Sequence, residues 1–261
     1  MLIDTHAHIN SEKLKDLLPE IIKSLESGEV NRIICPSFSV ESSKSSLDLS
    51  KNASKVFSAL GIHPENAYEL NDEFLEFLKN NLKHPKVVAV GEIGLDYHYT
   101  QNNKEIQLNA LNKQVKLAQE FDLPIIFHIR DAFDDFFDWL KINRQNFSKG
   151  VVHCFDGNET IAKKLLDFDL HISFTGLATF KPRQDIRQAI DITPLEKIMV
   201  ETDCPYLAPE PHRGKINIPE YTYLVAQKIA EIKNLDYKTF ATQTTENAYK
   251  FFNKMREYDD R

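Results

Sequence analysis

The first eight residues, Met1-Leu2-Ile3-Asp4-Thr5-His6-Ala7-His8, predict a short buried strand that runs directly into two histidines. Leu2 and Ile3 supply the apolar start of that strand. Residues two apart along an extended chain point to the same face, so His6 and His8 would direct two imidazoles to one place. Imidazole is a common metal ligand, and the stretch therefore indicates a candidate metal site.

Further apolar runs follow this strand, separated by longer amphipathic stretches. Parallel strands joined by crossover helices are the usual outcome of such alternation. Eight units favour a closed (β/α)8 TIM barrel of the α/β class over an open sheet, and that barrel usually needs about 250 residues. The predicted strands are Leu2–Thr5, Arg32–Ser37, Val56–Leu60, Val87–Gly91, Pro124–His128, Gly150–His153, Leu170–Phe174 and Ile198–Glu201.

Helical periodicity marks the segments between the strands. After the eighth strand, a proline-rich loop over Cys204–Pro219 precedes two more helical stretches, Glu220–Ile232 and Tyr237–Met255. No linker or internal repeat interrupts the pattern, so we expect one domain over residues 1–261, with its active site at the C-terminal rim of the strands. The other predicted helices are Leu14–Leu25, Ser42–Lys51, Asn71–Leu82, Glu105–Phe121, Ala132–Ile142 and Thr160–Phe168.

Side chains that can bind metal stand at the ends of several predicted strands. In a (β/α)8 barrel all strand C-termini meet at one rim, where function is located. A single histidine that closes a strand is usually structural, but a set of six such groups on one rim is improbable by chance. The six are His6 and His8 after strand one, Glu92 after strand four, His128 and His153 at the ends of strands five and six, and Asp203 after strand eight.

Four imidazoles and two carboxylates suit zinc, manganese or another divalent transition ion, whereas magnesium is less favoured by imidazole. Six ligands are too many for one catalytic ion, because that ion needs an open position. Two ions that share a carboxylate fit the count better. Such a pair, about 3.5–4 Å apart, can stabilise both the attacking and the leaving oxygen of a phosphoryl displacement. We therefore expect two divalent metal ions as cofactors: zinc, manganese or magnesium.

Composition limits the possible partners. The chain has 261 residues and a net charge of −7, from 32 basic and 39 acidic residues, which argues against a broad basic footprint for duplex DNA. No apolar run approaches the roughly 18 residues of a membrane span. The early strand leaves no room for a signal peptide, and three cysteines without zinc-finger spacing indicate reduced thiols. We expect a cytoplasmic monomer without membrane contact.

Taken together, these motifs resemble the TatD-type metal-dependent hydrolases, which belong to the amidohydrolase-like barrels. The resemblance extends from residue 4 to residue 215 in the family's order, and the run from Glu201 to Lys215 is the most specific part. Departures are minor, since Cys204 and Asp156 stand where serine is common. The matching pieces are residues 4–8, 61–64, 91–97, His128 with Arg130, residues 153–157, 201–207 and 211–215.

The resemblance implies a role for each candidate ligand. One metal would be held by His6, His8 and Asp203, the other by His128 and His153, with Glu92 bridging both. Glu92 and Asp203 would be the catalytic carboxylates, and Asp203 would also accept a proton from the attacking water. All six positions carry the residue type that the family requires.

Four further residues are candidates for substrate binding. His63 closes strand three and could contact a phosphate or simply cap the strand. Arg130 suits phosphate geometry but could instead form a structural ion pair. Arg213 and Lys215, in the loop after Asp203, could meet the substrate backbone or remain ordinary solvated charges.

For the function, the resemblance implies a nuclease: a metal-dependent hydrolase of phosphodiesters that acts on DNA ends or single strands. The ligand set by itself predicts only metal-assisted hydrolysis. One alternative is hydrolysis of a small amide, lactone or phosphoester, as in similar barrels. Another is a non-catalytic metal-binding protein, which the intact ligand set disfavours. The strand-four bridge is Glu92 rather than a lysine, and this favours the TatD-like branch.

Overall fold

Eight parallel strands form one sheet in the order of the chain. The structure, a computed structural model, describes residues 1–98 and 103–259. All eight predicted strands are present, and the prediction of a (β/α)8 barrel is confirmed. The strands are β1 Leu2–Asp4, β2 Val30–Pro36, β3 Val56–Leu60, β4 Val87–Asp96, β5 Ile125–Arg130, β6 Gly150–Val152, β7 His171–Phe174 and β8 Ile198–Val200.

Helices alternate with the strands and cover the outside of the barrel. The prediction omitted α7, and the predicted helix Tyr237–Met255 is in fact two helices that meet at Phe252. No helix in the described ranges is long and apolar enough to cross a membrane. The helices are α1 Leu18–Ser24, α2 Val40–Asn52, α3 Asp72–Asn81, α4 Lys104–Glu120, α5 Phe133–Asn143, α6 Glu159–Asp167, α7 Gln184–Ile192, α8 Thr222–Ile232, α9 Tyr237–Phe251 and α10 Asn253–Asp259.

Backbone hydrogen bonds just beyond the strand ends connect β8 to β1. Thr5 N donates to Val200 O at 3.2 Å, and Asp203 N donates to His6 O at 2.9 Å. The Asp4 carboxylate reinforces this junction, because it accepts hydrogen bonds from Thr202 Oγ1 at 2.6 Å and from Thr202 N at 3.0 Å. The loops that carry His6 and Asp203 are therefore held against each other.

The last helices close the N-terminal end of the barrel. Apolar residues that alternate along the strands, such as Ile3, Val88 and Met199, pack with Phe252 and Met255 in one buried cluster. The intervening strand residues pack outward against the surrounding helices. Strands that are apolar on both faces are typical of parallel sheets. Since helices block this end, the opposite end, where the strands terminate, is the accessible mouth of the barrel.

Most strand ends differ from the prediction by one or a few residues, and two of these differences change how candidate ligands are placed. β1 ends at Asp4, so His6 and His8 lie beyond the strand, and strict alternation from the inward-facing Ile3 would have turned His6 outward. β4 continues through Glu92 to Asp96 instead of ending at Gly91. Glu92 is consequently a buried residue within a strand, not a residue that follows one.

Candidate metal centre

Six side chains predicted as metal ligands meet at the mouth of the barrel. Their nitrogen and oxygen atoms approach one another to between 2.9 and 3.7 Å. Four are buried, and only His128 and Asp203 reach appreciably towards solvent. The converging residues are His6, His8, Glu92, His128, His153 and Asp203.

The first half of the centre combines the two histidines that follow β1 with the aspartate that follows β8. The His6 and His8 Nε2 atoms are 3.3 Å apart, and they lie 3.7 Å and 3.5 Å from Asp203 Oδ1. Donor atoms of these three residues all lie within 4.8 Å of one another, close enough to hold one metal ion. The set agrees with the first ligand group that the sequence predicts.

The second half joins Glu92 to His128 of β5 and to His153, which follows β6. His153 Nε2 lies 2.9 Å from Glu92 Oε2, and His128 Nδ1 lies 3.6 Å from the same oxygen. His128 Nδ1 and His153 Nε2 are 3.0 Å apart. The other carboxylate oxygen, Glu92 Oε1, lies 3.5 Å from His8 Nε2, so Glu92 stands between the two groups of ligands.

A glycine permits the close approach of β4 and β5 on which this geometry depends. Gly94 pairs with His128 in the parallel register and has a φ of 154°, in a region that residues with side chains rarely adopt. A Cβ at Gly94 would lie 1.9 Å from His128 O. Any other residue here would push His128 away from Glu92.

The carboxylates of the centre stabilise positive charge on several of its histidines, although burial lowers the pKa of His6. Although burial alone would raise the pKa of Glu92, the charge on His153 and hydrogen bonds from His128 and His153 hold it well below its usual range. Burial opposes protonation of His153, yet Glu92 and Glu201 raise its pKa well above normal. Within the described residues, the ion pairs of Glu92 and Asp203 are all with histidines. The donors therefore fit divalent transition ions, whose charge would balance the carboxylates.

Two carboxylates outside the predicted ligand set orient the histidines. His128 Nε2 donates to Asp96 Oδ2 at 2.8 Å, and the other ring nitrogen, Nδ1, faces Glu92. Glu201 Oε1 lies 3.4 Å from His153 Nδ1, and this carboxylate also accepts from Ser173 Oγ at 2.5 Å. Such partners fix the tautomer and ring orientation of metal-binding histidines. Asp96 and Glu201 lie in the sequence motifs 91–97 and 201–207. Asp96 stands four residues after Glu92 in the same strand, and this spacing could have identified it as a partner of the site.

His63 is buried next to the second half of the centre. Its ring centroid lies 4.1 Å from that of His128, and its Nδ1 accepts a hydrogen bond from Glu65 N at 3.1 Å. Burial and the neighbouring His128 lower its pKa to about 3. His63 is thus neutral with its proton on Nε2. It caps the short 3-10 helix Pro64–Glu69 rather than β3, and contact with a phosphate stays a prediction.

The three predicted cations lie outside the cluster of ligands. Arg130 is the last residue of β5 and lines an open groove together with Lys104, Asp131 and Asp156. Arg213 and Lys215 are exposed in the loop after β8, and the Arg213 guanidinium lies 4.4 Å over the centroid of the Phe180 ring. Their contact with substrate stays a prediction.

Comparison with known proteins supports the same picture. The family profile described as TatD related DNase matches residues 3–253. The metal-dependent hydrolase YabD of Bacillus subtilis (strain 168) is 37% identical over 252 residues, covering 97% of this chain and 99% of YabD. The TatD homologue YjjV of Escherichia coli K12 gives a TM-score of 0.90 at 31% identity, covering 97% and 98% of the two chains. A TatD family hydrolase of Entamoeba histolytica gives 0.85 at 26% identity, covering 96% and 97%.

Proposed function

This chain belongs to the TatD family of metal-dependent hydrolases, and we propose that it is a deoxyribonuclease that cleaves phosphodiester bonds at DNA ends or in single strands. The observation that carries the proposal is the position of Glu92, which lies within 3.7 Å of imidazole nitrogens from both ligand groups: Oε1 faces His8, and Oε2 faces His6, His128 and His153. A carboxylate placed in this way suits a pair of ions, and paired ions are typical of enzymes that cleave phosphodiesters.

We assign the ligands to two divalent ions: zinc, manganese or magnesium. One ion would be held by His6, His8 and Asp203, the other by His128 and His153, with Glu92 shared. The distances support this division, because Glu92 Oε1 lies 3.5 Å from His8 and Glu92 Oε2 lies 2.9 Å from His153. When bound, the ions would supply Lewis-acid activation of a water molecule and neutralise charge on the phosphate.

The protein's own groups would then orient the substrate and move the proton. Asp203 is the more accessible of the two carboxylates, with 14% of its side chain exposed against 5% for Glu92. It is therefore the better placed to take a proton from the attacking water. His63 has its neutral Nε2–H available as a donor to a phosphate oxygen, and Arg130 could hold a neighbouring phosphate.

A substrate panel tests the proposal. Purified protein with excess divalent metal is offered labelled single- and double-stranded oligonucleotides of DNA and RNA, beside small esters and lactones. We expect cleavage of single-stranded DNA and of duplex ends. Turnover of a small ester or lactone without cleavage of any oligonucleotide would instead establish the small-molecule alternative.

Removing the two cations of the β8 loop is expected to weaken DNA binding. Arg213→Ala with Lys215→Ala should raise KM for single-stranded DNA at low salt and leave metal content unchanged, because both groups would meet phosphates outside the metal sphere. The logarithm of the affinity decreases with the logarithm of the salt concentration, and this decrease should become less steep by roughly 0.7 for each lost phosphate contact.

The matched control changes Lys113 and Lys116, two exposed lysines on the outer face of α4, to alanine. It removes the same charge at a distance from the mouth and should leave KM nearly unchanged. If the loop variant behaves like this control at low salt, Arg213 and Lys215 are surface charges without a role in binding.

A further inference from the structure

The exposed aromatic side chains of this protein are grouped at the mouth of the barrel. Among the phenylalanine, tyrosine and tryptophan side chains that the structure describes, three are exposed: Phe38, Tyr68 and Tyr206. All three lie in segments that follow the C-terminal ends of strands β2, β3 and β8. By contrast, the aromatic residues of α5, such as Phe136 and Trp139, are buried in the core. A single exposed ring needs no explanation, but these three stand at the end of the barrel where the active site of this fold lies.

Phe38 stands beside the first half of the metal centre and is held there by its backbone. Its ring centroid lies 5.7 Å from that of His8, with the rings edge to face, and 39% of the residue is exposed. Phe38 O accepts hydrogen bonds from His63 N and from Asn66 Nδ2, both at 3.0 Å. The ring therefore has a fixed anchor at the edge of the site.

Tyr206 lies in the segment after β8, three residues beyond the candidate ligand Asp203. Tyr206 N donates to Asp203 O at 3.0 Å, and Tyr206 O accepts from Asn217 Nδ2 at 2.6 Å, so its backbone is also anchored. Even so, 51% of the residue is exposed.

The barrel order explains why these two rings flank one place. β1 precedes β2 in the sheet and is joined to β8 by the hydrogen bonds beyond the strand ends, so the loops after β2 and β8 border the histidines that follow β1. The exposed Lys13, in the short 3-10 helix Glu12–Leu14 that follows β1, adds a positive charge 4.9 Å above the Tyr206 ring. The rings of Phe38 and Tyr206 match the flat faces of nucleobases, and the charge of Lys13 matches that of a phosphate. The three side chains together therefore suit a polynucleotide at the proposed metal centre.

We propose that Phe38 and Tyr206 stack on unpaired nucleobases of the strand whose phosphate lies at the metal centre. This inference rests on the proposed nuclease function and adds to it a basis for strand selection. Aromatic side chains bind single strands of any sequence because every base has a π face, whereas the bases inside a duplex are already stacked. The two rings would thus select single strands and frayed ends.

The test separates base stacking from phosphate binding. Metal-loaded protein is titrated with a dye-labelled oligothymidylate and with an abasic strand of equal length, both with phosphorothioate linkages that resist hydrolysis. Phe38→Leu and Tyr206→Leu keep apolar bulk but remove the rings. Each should weaken binding of the thymidine strand about tenfold or more, as for loss of one stacked base, and leave binding of the abasic strand unchanged.

Three controls accompany the titration. Phe38→Tyr and Tyr206→Phe retain a ring and should bind the thymidine strand as the parent does. Ile142→Ala removes an exposed apolar side chain from α5 and should change neither affinity. Elemental analysis should show the same metal content in every variant, because none of these side chains is assigned as a ligand.

The possible results are distinguishable. An equal loss of affinity for thymidine and abasic strands, or no loss for either, would overturn the stacking proposal even if the protein cleaves DNA. Failure of the parent to cleave any polynucleotide in the substrate panel would overturn the nuclease function, and the stacking proposal with it.

Discussion

Glu92→Ala is expected to reduce bound metal from two equivalents to one or none and to abolish measurable turnover. Glu92 lies within 3.7 Å of imidazole nitrogens from both halves of the centre, so its loss removes a ligand from each proposed ion. Without the shared carboxylate, two like-charged ions would also repel each other at close range. The loss of activity should therefore follow from the loss of metal.

Elemental analysis of the purified variant, together with a metal titration, measures the effect. Asp131→Ala is the matched control, since it removes an exposed carboxylate whose recorded partner, His98, lies outside the centre. The control should keep the metal content of the parent. Two tightly bound equivalents in Glu92→Ala would show that Glu92 is not the bridge.

Asp203→Asn is expected to keep most of the metal and to lose about 10²-fold or more in kcat, the usual scale for a missing general base. The amide retains the shape of the side chain and one oxygen ligand near His6 and His8, but it cannot accept the proton from water. This variant therefore separates the two carboxylates by role, because Glu92→Ala should fail at metal binding and Asp203→Asn at proton transfer.

Steady-state kinetics on a single-stranded oligonucleotide, with metal content measured on the same preparation, decides this point. A rate within a few-fold of the parent would remove Asp203 from the role of base. A variant that has lost most of one metal equivalent would instead show that the negative charge of Asp203 is needed mainly as a ligand.

The barrel could be predicted because its strands are short apolar runs that differ plainly from the helices between them. The end of β4 could not, because Gly91 resembles a strand terminator, whereas the strand continues to Asp96. Helix α7 was missed for a different reason. It has only nine residues, and its N-cap, Arg183, makes no capping hydrogen bond with its side chain, so no strong start signal marks it.

For the site, the rule that function lies at strand C-termini was enough to select all six residues that converge. The partners that orient them depend on distances across the barrel. The contact of Asp96 with His128 spans 32 positions in sequence, and that of Ser173 with Glu201 spans 28. The exposure of Phe38 and Tyr206 is likewise a property of the folded loops. Neither kind of information is present in local sequence patterns.

Removal and return of metal, followed on a labelled single-stranded DNA, tests the central claim most directly. Protein treated with a chelator and dialysed should retain its fold by circular dichroism and cleave no DNA. Addition of zinc or manganese should restore cleavage, with saturation at two equivalents per chain. Full cleavage of the strand by protein shown to be metal-free would contradict the assignment of this centre as the source of activity.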